Sequence, residues 1–374
     1  MRAPQLAILA SVTALAACGP VTAGPVPTAS PAAHTTSAAP SVTTAPPTPA
    51  PLPPLAVLQS DTALTAVDDG GKVQWSLTRA EMNTLLSATA HDAISARVAG
   101  PNVILSVVPA ASTTKGRLVV LDGTGTSLGA SSFTPNNAAD DVYGSPSGSE
   151  WAYSIDDSPA SATRHHGRII VAGIGTAPHT VFSWVAPAGS VNERVAGWTD
   201  MGIVMERISL EGCGVGFHSD GASFLVDPVA GTLTDLFVGG DHYGDARHGV
   251  KVAFAARSSS AVVVKGVRFD EGGTVVDSVF VSPDGSRVGV GRVSVVVCAG
   301  SPTLTVSTEL IDVSTAGHSD ITGCEISGWF DAGDFVCSPQ DSTSSTPTQR
   351  TEDVAGHAGT VLGLGRLAGV LSSA

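Results

Sequence analysis

Cysteines are the residues of this sequence whose chemistry is easiest to recognise, and four of the five lie in its second half: Cys213, Cys298, Cys324 and Cys337. None belongs to a Cys-x-x-Cys pair, so a zinc site is not indicated, and disulfides are expected if the chain is exported. Cys324 and Cys337 flank a hairpin with its turn at 331–334, where a bridge would contribute about 3 kcal/mol. Cys213 would then pair with Cys298, although the other two connectivities remain open.

Residue types that bind metals or transfer protons occur in short polar segments: Asp140 and Asp141; His165 and His166; His218 and Asp220; Asp241, His242, Asp245 and His248. The first segment lacks the ordered alternation of an EF-hand calcium loop. The others lack the further ligands that would complete a site. We interpret the first, second and fourth segments as solvated loops, with His165 and His166 at a turn, and His218 and Asp220 as a pair without a third ligand. The sequence therefore predicts no bound metal and no cofactor.

A serine nucleophile would lie in a Gly-x-Ser-x-Gly turn after a strand. The segment GSPSG (144–148) has proline at its centre and is better explained as a plain turn. The Gly-rich segment 212–221 lacks the Lys-Ser/Thr pair of a phosphate loop, and we interpret it as a hairpin or bulge beside Cys213. Trp198 and Trp329 are expected to pack between elements rather than to stack on a ligand. No catalytic set is therefore predicted.

The N-terminus predicts where the protein resides. Arg2 precedes the apolar stretch 6–17, which is typical of a secretory signal and too short to span a bilayer. Its end, Leu15-Ala16-Ala17-Cys18-Gly19, resembles the lipobox of bacterial lipoproteins. This resemblance implies that residues 1–17 are a signal peptide and that Cys18 becomes a diacylated N-terminus. Two acyl chains on one residue anchor a protein stably, and four cysteines remain for disulfides.

A Pro-, Thr- and Ala-rich segment separates the signal from the rest of the chain. Residues 18–54 are nearly free of bulky side chains and cannot bury enough surface to fold, so we expect a disordered, extended tether. The remainder, 55–374, is predicted to be the folded domain. A formal net charge of −14 disfavours nucleic acids as partners, and it disfavours direct contact between this domain and anionic lipids.

Residues 55–374 have the pattern of an all-β domain. Short apolar runs such as NVILSVV (102–108) are bounded by Gly, Asp, Asn and Pro, as in a series of short strands. Charged residues make up 14% of the chain and Gly is abundant, with 42 residues, which favours strands and tight turns over helices. One helix is predicted within 78–93, with Thr78 as N-cap and Glu81 completing a capping box.

Three strand–turn–strand patterns recur in this domain. The first occurs at 144–155 and 281–292, and the second, with a Gly-Trp-x-Asp-x-Gly core, at 195–205 and 326–336. The third has an Asp- and Gly-containing turn after an apolar strand, at 64–77, 117–130, 223–237 and 308–321, with weaker members near Gly173, near Gly272 and at 360–371. Turns roughly 43 to 55 residues apart are typical of four-stranded propeller blades.

Two of these segments carry a family resemblance. SPDGSRVGV (282–290) is similar to the SPDG turn of TolB-like and other WD40-like β-propeller repeats, and LTAVDDGGKVQWSL (64–77) resembles a PQQ-like propeller repeat. The tryptophan that ends a PQQ-like repeat occurs once, at Trp75, so this resemblance implies no cofactor. It implies a β-propeller of six to eight blades, and we predict seven. The last apolar strand, within 361–371, is predicted to close the ring beside the first strand at 55–60.

Together these features predict an extracytoplasmic lipoprotein, anchored in the lipid bilayer through acylated Cys18, in a periplasm or on the outer cell surface. We hypothesise that its propeller is a monomeric scaffold for an envelope protein or glycan and is not an enzyme. The alternative is a propeller hydrolase, lyase or dehydrogenase with catalytic residues on the innermost strands. A fold alone does not decide between these functions.

Overall fold

Short strands dominate the folded part of the chain, as the sequence predicts. The computed structural model describes residues 53–109, 115–134, 142–157, 164–187, 191–199, 201–209, 219–238, 241–243, 252–255, 261–264, 267–270, 275–294, 305–315, 317–339 and 346–372. Residues Ala50–Ala374 belong to one compact unit. Cys18, Cys213 and Cys298 lie outside the described residues, so the lipidation of Cys18 and the pairing of the other two stay predictions.

The described residues contain seven four-stranded sheets, whose neighbouring strands are antiparallel. The first sheet contains β1 (Leu55–Gln59), β2 (Ala63–Val67), β3 (Val73–Thr78) and β28 (Arg366–Leu371). The second contains β4 (Ile94–Ala99), β5 (Asn102–Val107), β6 (Gly116–Leu121) and β7 (Ser127–Phe133). The third contains β8 (Tyr143–Gly144), β9 (Glu150–Asp156), β10 (Arg164–Gly173) and β11 (Thr176–Pro187).

The remaining sheets follow in chain order. The fourth contains β12 (Val191–Thr199), β13 (Gly202–Ser209), β14 (Ser219–Val226) and β15 (Leu233–Val238). The fifth contains β16 (Asp241–Tyr243), β17 (Val252–Ala255), β18 (Ala261–Val264) and β19 (Val267–Asp270). The sixth contains β20 (Val275–Val281), β21 (Arg287–Ser294), β22 (Thr305–Asp312) and β23 (His318–Thr322). The seventh contains β24 (Cys324–Trp329), β25 (Asp334–Pro339), β26 (Thr348–Asp353) and β27 (Ala358–Leu364).

The first sheet joins the two ends of the domain. Its strand order is β28-β1-β2-β3, whereas every other sheet is built from four strands that follow one another in the chain. β28 is antiparallel to β1, with Leu371 opposite Leu55 and Arg366 opposite Gln59. This is the closing strand pair that the sequence predicted.

Each sheet has two edge strands, and we call one of them its inner strand. The inner strands are β28, β4, β8, β12, β16, β20 and β24. Contacts link the inner strands of consecutive sheets from β20 through β24, β28, β4 and β8 to β12. Six of the sheets, from the sixth through the seventh and first to the fourth, therefore succeed one another in chain order with their inner strands side by side. This arrangement is a propeller-like fold.

The apolar core lies between consecutive sheets. Trp151 of the third sheet packs with Ile104 of the second, and Phe335 of the seventh packs with Leu310 of the sixth. Equivalent clusters connect the first sheet with the second, the third with the fourth, and the seventh with the first. A single sheet cannot cover both of its faces, so each neighbour buries one of them, at about 2 kcal/mol for a large apolar side chain.

We call the edge strand opposite the inner strand the outer strand of a sheet. In several sheets, a turn of the next sheet packs against this outer strand. Gly71, between β2 and β3, has a φ of 75°, and a Cβ there would lie 2.8 Å from the carbonyl oxygen of Val361 in β27. Gly125, between β6 and β7, lies in the same way against Trp75 in β3. Trp75 donates its Nε1–H to the Gly123 carbonyl at 2.9 Å. These turns protect strand edges that would otherwise be exposed.

The helix of the described residues, α1 (Arg79–Leu86), connects the first sheet to the second. Thr78 is its N-cap and forms the predicted capping box with Glu81, whose pKa is lowered by hydrogen bonds from Thr78. Met82 and Leu86 are buried in the cluster between these two sheets. No helix among the described residues is long and apolar enough to cross a membrane.

The predicted repeats occupy equivalent positions in their sheets. The first and second patterns are turns between the first and second strands of a sheet, and the four strong members of the third pattern are turns between the third and fourth strands. In the first pattern, the Ser282 hydroxyl accepts the backbone N–H of Arg287 at 2.9 Å. Ser145 makes the equivalent contact with Glu150 at 3.2 Å.

Of the weaker members of the third pattern, one is confirmed as a turn between the third and fourth strands of its sheet and one is not. The turn after Gly173 does join the third and fourth strands of its sheet, β10 and β11. The segment 360–371 does contain a strand, a glycine and another strand, but these are parts of β27 and β28, which belong to different sheets. The equivalent turn of the seventh sheet follows Asp353 instead. The segment near Gly272 lies outside the described residues.

Candidate functional site

The Cys324–Cys337 disulfide is present, with its two Cα atoms 5.6 Å apart. The hairpin turn lies where the sequence predicts it, since the Asp331 carboxylate accepts the backbone N–H groups of Gly333 and Asp334 at 2.6 and 2.8 Å. Ile326, rather than Cys324, is directly opposite Cys337 in the β24–β25 register. The bridge therefore runs diagonally across the strand pair.

The GSPSG segment is a turn, as predicted. Ser145 is buried, and the N–H of Gly148 donates to its carbonyl at 2.8 Å. Because the Ser145 hydroxyl also accepts the N–H of Glu150, it serves the backbone of its own turn. The central Pro146 carbonyl lies against Gly100 of the second sheet. Among the described residues, this segment is part of a contact between two sheets.

The predicted polar loops are only partly described. His165 and His166 lie in strand β10, so their assignment to a turn is wrong; the strand extends beyond β9 and pairs there with β11 alone. Asp241 and His242 form the start of β16, and Asp220 lies in β14. The remaining members of these segments lie outside the described residues: Asp140, Asp141, His218, Asp245 and His248.

Both tryptophans of the second pattern pack between sheets. Trp329 is buried among residues of the sixth and seventh sheets. Its Nε1–H donates to the Phe280 carbonyl of β20 at 3.0 Å, and its ring meets that of Phe335 edge to face at 6.0 Å. Trp198 packs against the cluster between the third and fourth sheets. Their predicted structural role is confirmed.

The inner strands, which lie far apart in the sequence, carry polar side chains on neighbouring sheets. On the described side chains of these strands we find five charged or phenolic residues: Arg97, Tyr143, Arg194, Glu325 and Arg366. They come from β4, β8, β12, β24 and β28. Arg366 is exposed and the other four are half-buried. We take this inner-strand group as the candidate functional site.

A cation–π contact fixes part of this group. The guanidinium carbon of Arg97 lies 4.2 Å from the centroid of the Tyr143 ring. Such stacking contributes about 0.5 to 2 kcal/mol and joins the inner strands of the second and third sheets. Gln59 ties the first sheet to the second nearby, since its Oε1 accepts the N–H of Ala96 at 2.8 Å. These side chains are therefore held on rigid strands and not on loops.

Four inner strands are interrupted by a bulge. In each case one residue has no partner on the adjacent strand: Ala196, Asp277, Ser327 and Ala368. A bulge bends a strand locally and changes the direction of the side chains beside it, and bulges are frequent next to binding sites. Such bulges recur on β12, β20, β24 and β28, so the pairing of these four inner strands with their neighbours is locally irregular.

The turns at one end of the sheets carry a series of carboxylates with altered pKa values. The Asp312 carboxylate accepts hydrogen bonds from the side chains and N–H groups of Ser314 and Thr315, which lower its pKa to about 2. Backbone hydrogen bonds likewise lower the pKa of Asp227 and, with His357, that of Asp353. Asp residues therefore fasten these turns.

Asp334 has the opposite shift. Burial raises its pKa, and the nearby charges of Asp331, Asp353 and Asp69 raise it further. Asp331, Asp334 and Asp353 belong to the seventh sheet and Asp69 belongs to the first. The turn end of the domain is therefore acidic where these two sheets are neighbours. Repulsion among these carboxylates disfavours the ionised form of Asp334.

A second polar group, between the sixth and seventh sheets, was also missed by the sequence. Glu352 of β26 is only 2% exposed, and its Oε2 accepts a hydrogen bond from Arg350 Nη2 at 2.8 Å. The same Oε2 lies 3.4 Å from Cys337 Sγ. The Arg350-x-Glu352 spacing could have indicated two charges on one face of a strand, but no local signal shows that this face is buried.

Comparisons with known proteins agree with the fold. Neither a scan against protein-family models nor a search of curated proteins found a match. Among solved structures, a prolyl endopeptidase matches with a TM-score of 0.55 and 12% identity, over 86% of this chain and 50% of that one. Prolyl oligopeptidase B from Galerina marginata matches with a TM-score of 0.54 and 9% identity, over 83% and 48%. This chain thus spans about half the length of either enzyme, and the likeness shows a shared propeller-like fold.

Proposed function

We propose that this protein is a lipid-anchored, seven-bladed β-propeller that binds a protein or glycan partner in the cell envelope and is not itself an enzyme. Each four-stranded sheet is one blade of the proposed ring. The observation that carries the binding role is the presence of a polar side chain on five contacting inner strands, with Arg97 stacked on Tyr143. Arg and Tyr are the residue types that recognition surfaces favour.

The physical support for binding is rigidity. Strands that are packed on both faces hold their side chains in place before a partner arrives, so little conformational entropy is lost on association. Arg366 is exposed at the start of β28, and Glu325 lies on the adjacent inner strand β24. We propose that a partner docks over these inner strands.

A site-specific photocrosslinking experiment tests the binding surface. A photoreactive phenylalanine analogue replaces Arg366 on the inner strand β28 or, as the matched control, Val185, which is exposed on the outer strand β11. In intact cells we expect a discrete crosslinked product from position 366 and little from position 185. Equal yields at both positions, or none at position 366, would refute docking over the inner strands.

The proposed anchor is tested separately, through Cys18. Cells supplied with an alkyne-bearing fatty acid should incorporate the label into the wild-type protein and not into Cys18→Ser. The wild type should sediment with membranes, because two acyl chains bind a bilayer stably. Cys213→Ser serves as the control for a cysteine outside the lipobox. Label retained in Cys18→Ser would end the lipoprotein proposal and leave the fold unaffected.

A further inference from the structure

The buried contact between Glu352 and the disulfide is chemically incomplete. As the ionised partner of Arg350, the Glu352 carboxylate can only accept hydrogen bonds, and a disulfide sulfur has no proton to donate. Yet Oε2 lies 3.4 Å from Cys337 Sγ, and Glu352 is 2% exposed. Arg350 neutralises the carboxylate on one side, but at the contact with Sγ two acceptor atoms face each other with no proton between them.

We propose that reduction of the disulfide turns this group into a binding site for one thiophilic divalent cation such as Zn²⁺, with Cys324, Cys337 and Glu352 as ligands. The ligand atoms of these three buried residues all lie within 4.8 Å of one another. In a tetrahedral zinc site with Zn–S near 2.3 Å and Zn–O near 2.1 Å, neighbouring sulfur and oxygen ligands are about 3.5 Å apart. The observed distance of 3.4 Å between Sγ and Oε2 matches that spacing.

The charges of the group also fit this cation. In the oxidised state Glu352 and Arg350 neutralise each other across their 2.8 Å hydrogen bond. In the metal-bound state two thiolates, one carboxylate, one guanidinium and Zn²⁺ again sum to zero, so the buried site gains no net charge. Arg350 would orient the carboxylate from outside the ligand set, as residues around metal ligands do. Its side chain is 27% exposed, which connects the site to solvent.

The chemical steps balance with a dithiol as reductant. The dithiol attacks the disulfide and becomes a cyclic disulfide, while Cys324 and Cys337 become thiols. Zn²⁺ then displaces two protons, one from each thiol, and these pass to solvent. The fourth position of the cation is left to water. The disulfide and the cation are mutually exclusive means of joining β24 to β25.

Cobalt titration of the full chain tests this site. The protein is reduced with a phosphine under anaerobic conditions and titrated with Co²⁺, whose bonds to thiolates give a near-ultraviolet charge-transfer band. We expect one equivalent of Co²⁺ to produce the band and Zn²⁺ to remove it. The oxidised protein should not bind. Cys337→Ser should lose the band, although Cys213 and Cys298 remain.

Two glutamate variants separate the carboxylate ligand from general effects. Glu352→Gln should weaken Co²⁺ binding by about tenfold or more, whereas Glu150→Gln, on β9 of the third sheet, should bind as the wild type does. If reduction unfolds the chain, added Zn²⁺ should restore its far-ultraviolet circular dichroism. The proposal is overturned if the reduced protein gives no band, if Cys337→Ser keeps the full band, if Zn²⁺ fails to refold an unfolded reduced chain, or if the two glutamate variants bind equally.

Discussion

At the scale of single residues, this fold is fastened by aspartates that accept hydrogen bonds from the turns they begin. Asp122, Asp227, Asp312 and Asp353 each accept backbone N–H groups from residues two to four positions further on. Such turns need no distant partner, because the carboxylate and the N–H groups belong to the same few residues. The turns at Asp122, Asp227 and Asp312 were therefore recognised in the sequence as Asp- and Gly-containing turns, whereas the turn at Asp353 was not.

Asp312 leads to a prediction about pH. Its pKa is lowered to about 2 by hydrogen bonds from Ser314 and Thr315, against about 3.9 in an unfolded chain. A lowered folded-state pKa stabilises the protein above the unfolded value, and this contribution is lost as pH falls from about 4 towards 2. The urea midpoint of the wild type should therefore decline over this range more steeply than that of Asp312→Asn.

The control for this prediction is Asp320→Asn, an identical change at an exposed position in the adjoining strand β23. The urea midpoint of Asp320→Asn should decline between pH 4 and pH 2 as steeply as that of the wild type. Parallel curves for the wild type and Asp312→Asn between pH 4 and pH 2 would show that the hydrogen bonds of this turn do not stabilise the folded chain.

The residues of the inner-strand group and the buried Glu352 could not be found in the same way. Arg97 and Tyr143 lie on different sheets, and their contact depends on how two sheets succeed one another. Arg350 and Glu352 are on one strand, but burial of their shared face is decided by the sixth sheet. A single sequence identifies the residue types, whereas the partners are set by packing over long separations.

At the scale of elements, the helix α1 shows how far a local pattern suffices. Its cap, its acidic first turn and its apolar residues are contained in 78–86, so its N-terminus was predicted correctly. At 360–371 the local pattern identifies two successive strands but not the sheets to which they belong. An apolar strand, a glycine and another apolar strand look alike in sequence whether the strands pair or pass to the next sheet, and only the pairing of β28 with β1 distinguishes them.

The capping box of α1 gives a prediction at this scale. Thr78→Ala removes the side-chain oxygen that accepts the Glu81 N–H, and it should lower the free energy of unfolding by about 1 kcal/mol. Because Met82 and Leu86 are buried with the first and second sheets, the loss should be visible in global urea unfolding. Thr84→Ala makes the same chemical change on the exposed face of the helix and should be neutral or slightly stabilising. Equal losses in both variants would contradict a capping role.

At the scale of the whole molecule, the sheets depend on one another. Core residues lie between sheets, turns of one sheet contact the outer strand of the preceding one, and Arg287 donates to the Ala332 carbonyl across the sixth and seventh sheets at 2.8 Å. The sequence predicted this organisation through repeated turns and through an apolar last strand. Periodicity is visible in a sequence because each sheet repeats the same local signals.

The pairing of β28 with β1 provides the last prediction. β28 supplies the inner strand of the first sheet and contacts β4 and β24, so residues 366–372 connect the second and seventh sheets through the first. Removal of 366–374 exposes the edge of β1 and the cluster around Leu371 and Ala56. Because neighbouring sheets bury each other's faces, the loss should spread through the domain, and the truncated chain should unfold at a much lower urea concentration or fail to fold.

A circular permutant distinguishes loss of the strand from loss of the natural chain ends. Leu371 lies opposite Leu55, so a short Gly/Ser linker can join residue 372 to residue 54, with new termini opened between Ile174 and Gly175, which are exposed. This permutant keeps every strand and should unfold cooperatively, as the wild type does. A truncated chain with the wild-type urea midpoint would show that β28 is an accessory strand and that the remaining sheets hold together without closure.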